Sequence, residues 1–333
     1  MIFLNKNENI LGSSKKVHEI IKQNIKGTHL YPEFDNTDLE IRIAKFHNVD
    51  ISNVFVGNGI DEINFLISRI IPDNSIVLSH EYTYIAFQWV VNKVSTNATI
   101  KLIPLDNSHE LDVDNFCKQI KEISPNVIYI CNPNNPTGIC IGSNEIDKII
   151  STIKGTNIIL IIDEAYIEYA NTNHPTKIPY IESANIFVLR TFSKIYGLAG
   201  LRIGYTIANK ELINKLQNLR KCNPYSINRF ARKAAIVALD DQKHIKYSSD
   251  YNTECKLHLY KILEKHNICY FKSDTNFICV QTNNLTYSLH DKLHRSGICI
   301  RSLDLFNMDG YHRISIGSID QINEIDKILS GIN

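Results

Sequence analysis

Apolar and polar positions along this chain follow two regimes. In the first, short aliphatic runs recur at 53–56, 76–79, 100–103, 127–131, 158–162, 186–190 and 203–207, separated by helix-like or loop stretches. The run Ile158-Ile-Leu-Ile-Ile162 contains no polar position, which predicts a strand buried on both faces. Strands alternating with helices predict an α/β architecture, a mostly parallel sheet sandwiched by helices. Past about residue 222 the pattern changes. A helix-like segment from Asn228 through Leu239 continues into another that ends near Lys265. Strand candidates follow at 269–271, 277–281, 298–301 and 313–316. Ser318 with Gln321 then forms a capping-box signature, and Ile319, Ile322, Ile325 and Ile328 give the last helix one apolar face. The expectation is two lobes: residues 30–222 form the larger, and 1–29 plus 223–333 a smaller α+β lobe. The loops at 171–179 and 303–311 are expected to be the mobile pieces.

Composition narrows the class of partner. At 333 residues, 44% hydrophobic and 21% charged, the chain can bury a large core. A net charge of +1, with no basic stripe interleaved with aromatics, argues against nucleic acid. No apolar stretch approaches the length of a membrane span. The start, Met-Ile-Phe-Leu-Asn-Lys, does not look like a secretory signal, and a cytoplasmic protein is expected. The eight cysteines are scattered without metal-ligand spacing, which suits reduced, packed thiols and no metal centre.

Three motifs carry candidate chemistry. In Arg190-Thr-Phe-Ser-Lys-Ile-Tyr-Gly-Leu-Ala-Gly-Leu-Arg-Ile-Gly-Tyr205, the amine of Lys194 can condense with an aldehyde cofactor as a Schiff base. Ser193 and Arg202 can grip a phosphate on the same molecule. In Cys131-Asn-Pro-Asn-Asn-Pro-Thr-Gly138, a loop after a strand, the Asn135 amide can donate to a phenolate-like oxygen. In Ile158-Ile-Leu-Ile-Ile-Asp-Glu-Ala-Tyr166, Asp163 ends a buried strand. A protonated pyridine nitrogen would be its partner, although a helix N-cap is the other role open to this residue. Tyr166 can hydrogen-bond the ring hydroxyl beside Asn135.

The order Asn135, Asp163, Tyr166, Ser193-Lys194, Arg202 resembles the fold-type I pyridoxal-phosphate aminotransferases, and more narrowly their histidinol-phosphate aminotransferase branch. The resemblance runs from Leu4-Asn-Lys-Asn-Glu8 to about Ile328 and includes His312-Arg-Ile-Ser-Ile-Gly317. It implies pyridoxal 5'-phosphate as cofactor, small-molecule amino donors and 2-oxo acid acceptors, and a homodimer. Its implied site has the backbone N–H groups of Ile60 and Asp61, in Gly57-Asn-Gly-Ile-Asp-Glu62, on the cofactor phosphate. Tyr84, or alternatively Tyr82, stacks on the ring. Tyr31 reaches the neighbouring subunit's phosphate, Arg313 clamps the substrate carboxylate, and Arg301 contacts a substrate phosphate. Arg301 could equally be a surface charge beginning a loop.

The substrate stays open at this point. Relatives of this framework transaminate aromatic amino acids or decarboxylate O-phosphothreonine. Gly57-x-Gly59 after a strand also has the outline of a nicotinamide-binding turn, but Glu62 stands where its third glycine belongs.

Overall fold

In a computed structural model, residues 1–34, 36–94, 97–170 and 176–331 are described. The chain begins with a short strand, β1 (Ile2–Phe3), followed by the helices α1 (Lys15–Asn24) and α2 (Thr37–His47). Next come β2 (Val54–Gly57), α3 (Gly59–Ile70), β3 (Ile76–His80), α4 (Ala86–Val94) and β4 (Thr99–Ile103). Then follow α5 (Val113–Ile123), β5 (Val127–Cys131), α6 (Ser143–Ile153), β6 (Ile159–Asp163), β7 (Asn185–Thr191) and β8 (Gly204–Ile207). Every aliphatic run of the first regime has become a strand of one seven-stranded sheet, ordered β2-β8-β7-β6-β5-β3-β4. Only β8 runs against the others, pairing antiparallel with both β2 and β7.

Each residue of β5 is buried and β6 is buried from Leu160 to Asp163, as strands covered by helices on both sides must be. Parallel strands with helical crossovers bring all their C-terminal ends to one edge of the sheet. Cys131, Asp163 and Thr191 end β5, β6 and β7 there, and Gly57 ends β2 just before α3.

The second regime holds α7 (Lys210–Arg220), α8 (Arg229–Asp240), α9 (Gln242–Lys265), β9 (Cys269–Tyr270), β10 (Phe277–Gln281), α10 (Leu289–Arg295), β11 (Ile298–Cys299), β12 (Arg301–Ser302), β13 (Tyr311–Ser315) and α11 (Ile319–Ser330). Strands β12-β13-β10-β9 form an antiparallel sheet whose apolar face packs with α9 and α11 into a second core. The capping box at Ser318 and Gln321 is formed. Buried side chains of α1 and α8 belong to the larger core, although their residues fall in the stretches 1–29 and 223–333 assigned from sequence to the smaller lobe.

Two expectations are corrected. The single strand expected at 298–301 breaks at buried Ile300. Its first half pairs in parallel with β1, and its second half pairs with β13, so it serves two sheets. The loop at 303–311, expected to be mobile, is packed: Leu303, Phe306 and Met308 are buried against Cys279 around a single 3-10 turn. Of the other loop, residues 171–175 lie outside the described residues.

The turn after β7 is locked against the N-terminal segment at Gly197. Its φ is +70°, and a Cβ there would lie 2.4 Å from the carbonyl carbon and oxygen of Gly12. Neither backbone can yield cheaply. Gly197→Ala should lower the free energy of unfolding by about 1–3 kcal/mol, checked by urea denaturation.

Candidate active site

A cavity of about 550 Å³ opens at the C-terminal edge of the large sheet. Lys194 enters it from the turn after β7, with its Nζ 3.3 Å from the Lys6 carbonyl oxygen and 5.5 Å from the Tyr166 ring centre. Burial, then the positive charges of Arg313 and Arg202, lower its amine from 10.5 to about 8.

Asp163 forms the floor and is only 1% exposed. Its Oδ2 accepts from the Tyr129 hydroxyl at 2.8 Å and its Oδ1 from the Ala165 N–H at 3.1 Å. Burial raises its pKa to about 6, against the opposing pull of those two bonds. Among the described residues no cation is paired with it, and it is not a helix cap, since the next helical turn, Ile167–Tyr169, is capped at Tyr166.

Asn135 and Tyr166 both line the cavity. Loop residue Asn134 fixes the neighbourhood, donating to the Tyr82 carbonyl at 2.8 Å and accepting from Thr83 Oγ1 at 2.9 Å. The Asn135 Oδ1 accepts from Arg313 Nη1 at 2.5 Å. Arg313 projects from β13, its guanidinium also donating to the Asn5 carbonyl at 3.2 Å, with no partner for Nε among the described residues. A buried guanidinium with spare donor capacity is suited to a planar carboxylate. Behind the floor, Arg190 is held in buried ion pairs with Glu164 (2.8 Å) and Glu168 (2.9 Å).

At the other end, Ser193 and Arg202 face the N-terminus of α3. Arg202 Nη1 lies 3.5 Å from Ser193 Oγ, and Nη2 lies 2.8 Å from Asp61 Oδ2. Gly59 makes room for the guanidinium, since a Cβ there would lie 2.8 Å from Nη2 at a φ of +74°. A helix N-terminus, a hydroxyl and an arginine around one point form an anion seat. Glu62, at the expected third glycine of a nicotinamide turn, instead accepts from the Asn58 N–H at 2.6 Å.

Ile60, Asp61, Tyr84, Asn135, Asp163, Tyr166, Ser193, Lys194, Arg202, Arg301 and Arg313, the residues named from sequence, line this one cavity. Tyr84 stands in the wall; Tyr82 does not, its ring resting 5.8 Å from that of His109. Tyr31 is not part of the cavity of its own chain. It is 83% exposed, with its ring 5.4 Å from that of Tyr225.

Sequence reasoning passed over Asn5, Lys6, Asn7 and Glu8, which also line the cavity; the Leu4–Glu8 motif was their only signal. It also passed over Trp89 at the mouth, 54% exposed, and Tyr129, which reads as an ordinary core aromatic.

Residues 1–329 match the family described as aminotransferase class I and II. A histidinol-phosphate aminotransferase of Caldicellulosiruptor saccharolyticus is 38% identical, covering 100% of this chain and 92% of its own. The crystal structure of histidinol-phosphate aminotransferase from Clostridium acetobutylicum superposes with a TM-score of 0.89 at 25% identity, covering 100% of this chain and 99% of that one. That from Sinorhizobium meliloti, in complex with pyridoxal-5'-phosphate, shares the fold with a TM-score of 0.88 at 24% identity, covering 100% and 92%. These matches, over the full length of a chain whose cavity gathers the lysine, the buried aspartate and both arginines, leave no place for a nicotinamide dehydrogenase. The chain belongs to the class I and II aminotransferases.

Proposed function

We propose that this aminotransferase works with pyridoxal 5'-phosphate. As amino donor we propose histidinol phosphate or a similar amino-phosphate, and as acceptor a 2-oxo acid such as 2-oxoglutarate. The observation carrying the reading is the pairing, in one cavity, of an amine brought to about 8 with a buried carboxyl that has no cation of its own among the described residues. The donor set fits the cofactor. Asp163 would receive a protonated ring nitrogen, which accounts for a carboxylate kept in so costly a place. Asn135 and Tyr166 would hold the ring oxygen, and Tyr84 would cover a ring face. Ser193, Arg202 and the Ile60 and Asp61 N–H groups would anchor the phosphate, with Tyr31 reaching in from a partner subunit.

When bound, the cofactor supplies an electron sink that makes the substrate's α-proton acidic. Lys194 is the group placed to move that proton. An amine half-neutral near pH 8 can act as a base under conditions where an ordinary lysine is almost wholly charged. Arg313 orients the substrate by its carboxylate, and Arg301, on the cavity wall, takes the phosphate end.

The test is turnover of histidinol phosphate against a panel of amino donors, phenylalanine included, with 2-oxoglutarate as acceptor. Wild type should favour histidinol phosphate, and Lys194→Ala should lose at least about 10³-fold in kcat. Equal turnover by that variant would remove the centre of the reading.

The lowered amine has a signature of its own. In the cofactor-free chain, labelling of Lys194 by an amine-directed reagent, followed by peptide mass mapping, should rise through a midpoint near pH 8 instead of the ordinary 10.5. Because the unfolded chain binds the extra proton between these values, this residue's contribution to stability should grow as pH rises from 8 to 10.5.

The homodimer rests on an exposed aromatic patch. Tyr31 and Phe34 both contact the ring of Tyr225, and both are largely in water on a single chain. Gel filtration should give the mass of two chains, and an active monomer would exclude a shared site.

A further inference from the structure

Asn7 takes a φ of +56°, a left-handed conformation that asparagine tolerates better than most residues. It is 1% exposed, and its polar groups are joined in a fixed order. Its backbone N–H donates to Ser315 Oγ at 2.8 Å. A hydroxyl receiving that bond still has its own proton to give, and Asn7 Oδ1 lies 3.0 Å away to accept it. This settles which way the amide faces, with Oδ1 toward Ser315 and Nδ2 toward Tyr166, whose hydroxyl oxygen is 3.0 Å distant. An amide NH2 can only donate, so the Tyr166 oxygen accepts there. The series therefore starts at a backbone N–H, which cannot reverse, and leaves the Tyr166 proton free to point elsewhere. Among the described residues no acceptor is bonded to that proton, and the hydroxyl belongs to the cavity wall.

The seat of Asn7 is itself secured. Its carbonyl accepts from Asn276 Nδ2 at 3.0 Å, and the next strand residue but one before Ser315 is Arg313. Burial pushes the Tyr166 phenol well above its ordinary value, so the proton is present throughout the neutral range.

We propose that Asn7 is a positioning residue: with Ser315 it fixes the polarity of the Tyr166 hydroxyl so that this group donates into the cavity. The acceptor there is the ring oxygen of the cofactor, so the inference rests on the pyridoxal phosphate reading. A donor at that oxygen favours its anionic form and lowers the pH at which the bound chromophore gives up its proton.

The test follows the visible absorption band of the full chain, loaded with pyridoxal 5'-phosphate, against pH. A wild-type chain that takes up no cofactor would overturn the reading of the site, and this inference with it. With the band present, the variants decide the role of Asn7 alone. Asn7→Asp keeps the size and tolerates the left-handed backbone, but turns the donor into an acceptor that draws the Tyr166 proton away. The band's midpoint should rise by about one pH unit, a tenfold change. In a Tyr166→Phe background the same substitution should shift it much less, because only its charge remains to act. Ser315→Ala, which adds no charge and frees the amide to turn over, should shift the midpoint in the same direction by less, with kcat falling more than KM rises. Midpoints equal to wild type in both Asn7→Asp and Ser315→Ala would overturn the proposal, even if their melting temperatures fell. So would an Asn7→Asp shift undiminished in Tyr166→Phe.

Discussion

Asp163 occupies a place where a carboxylate is costly: the inner end of a buried strand, with two neutral donors and, among the described residues, no paired cation. Burying an ionised carboxylate without a partner raises its pKa, and here the group sits near 6. The same scarcity of water acts in the opposite sense on Lys194, whose amine is lowered to about 8. One environment thus shifts an acid and a base from opposite sides: the lowered amine of Lys194 suits a base near pH 7, while the raised carboxyl of Asp163 calls for a cationic partner to hold it ionised. The surrounding architecture keeps water scarce there while leaving the cavity open to substrate.

The sheet does this by topology. Parallel strands deliver their last residues to one edge, so Cys131 and Asp163 arrive side by side, with Thr191 two residues beyond Asp163's partner Leu189, although they are distant in sequence. The second lobe closes the edge from above through β13, which brings Arg313 to Asn135. The N-terminal segment completes the closure. Asn5 and Lys6 present carbonyls to Arg313 and Lys194, and β1 ties the segment to β11. Lys194 and Arg313 are therefore restrained in part by backbone oxygens, which carry no proton to lose, whereas Arg202 is held by the Asp61 carboxylate.

Much of this was legible in the residues. Most of the aliphatic runs gave strands because burial on both faces leaves little room for polar positions; the edge strand β4, largely exposed, is the exception. The Gly- and Pro-rich loops after them marked where polar side chains emerge. What stayed hidden depends on pairs remote in sequence. Nothing local to Tyr129 distinguishes a core tyrosine from one whose hydroxyl supports Asp163. Nothing local to Asn7 points to Tyr166, 159 positions away, or to Ser315 at 308. The strand expected at 298–301 failed for the same reason: its residues have strand character throughout, and only the arrival of two different neighbours breaks it at Ile300. The loop at 303–311 was expected to be mobile, yet three of its apolar residues fill a small core.

Trp89 is the chain's single tryptophan, and it stands half in water at the mouth of the cavity. Indole emission responds to the polarity of its surroundings and to nearby absorbing groups. Light taken up by this one ring therefore reports from the doorway of the site, undiluted by signals from the rest of the fold. The molecule carries its own optical gauge of traffic into and out of that space.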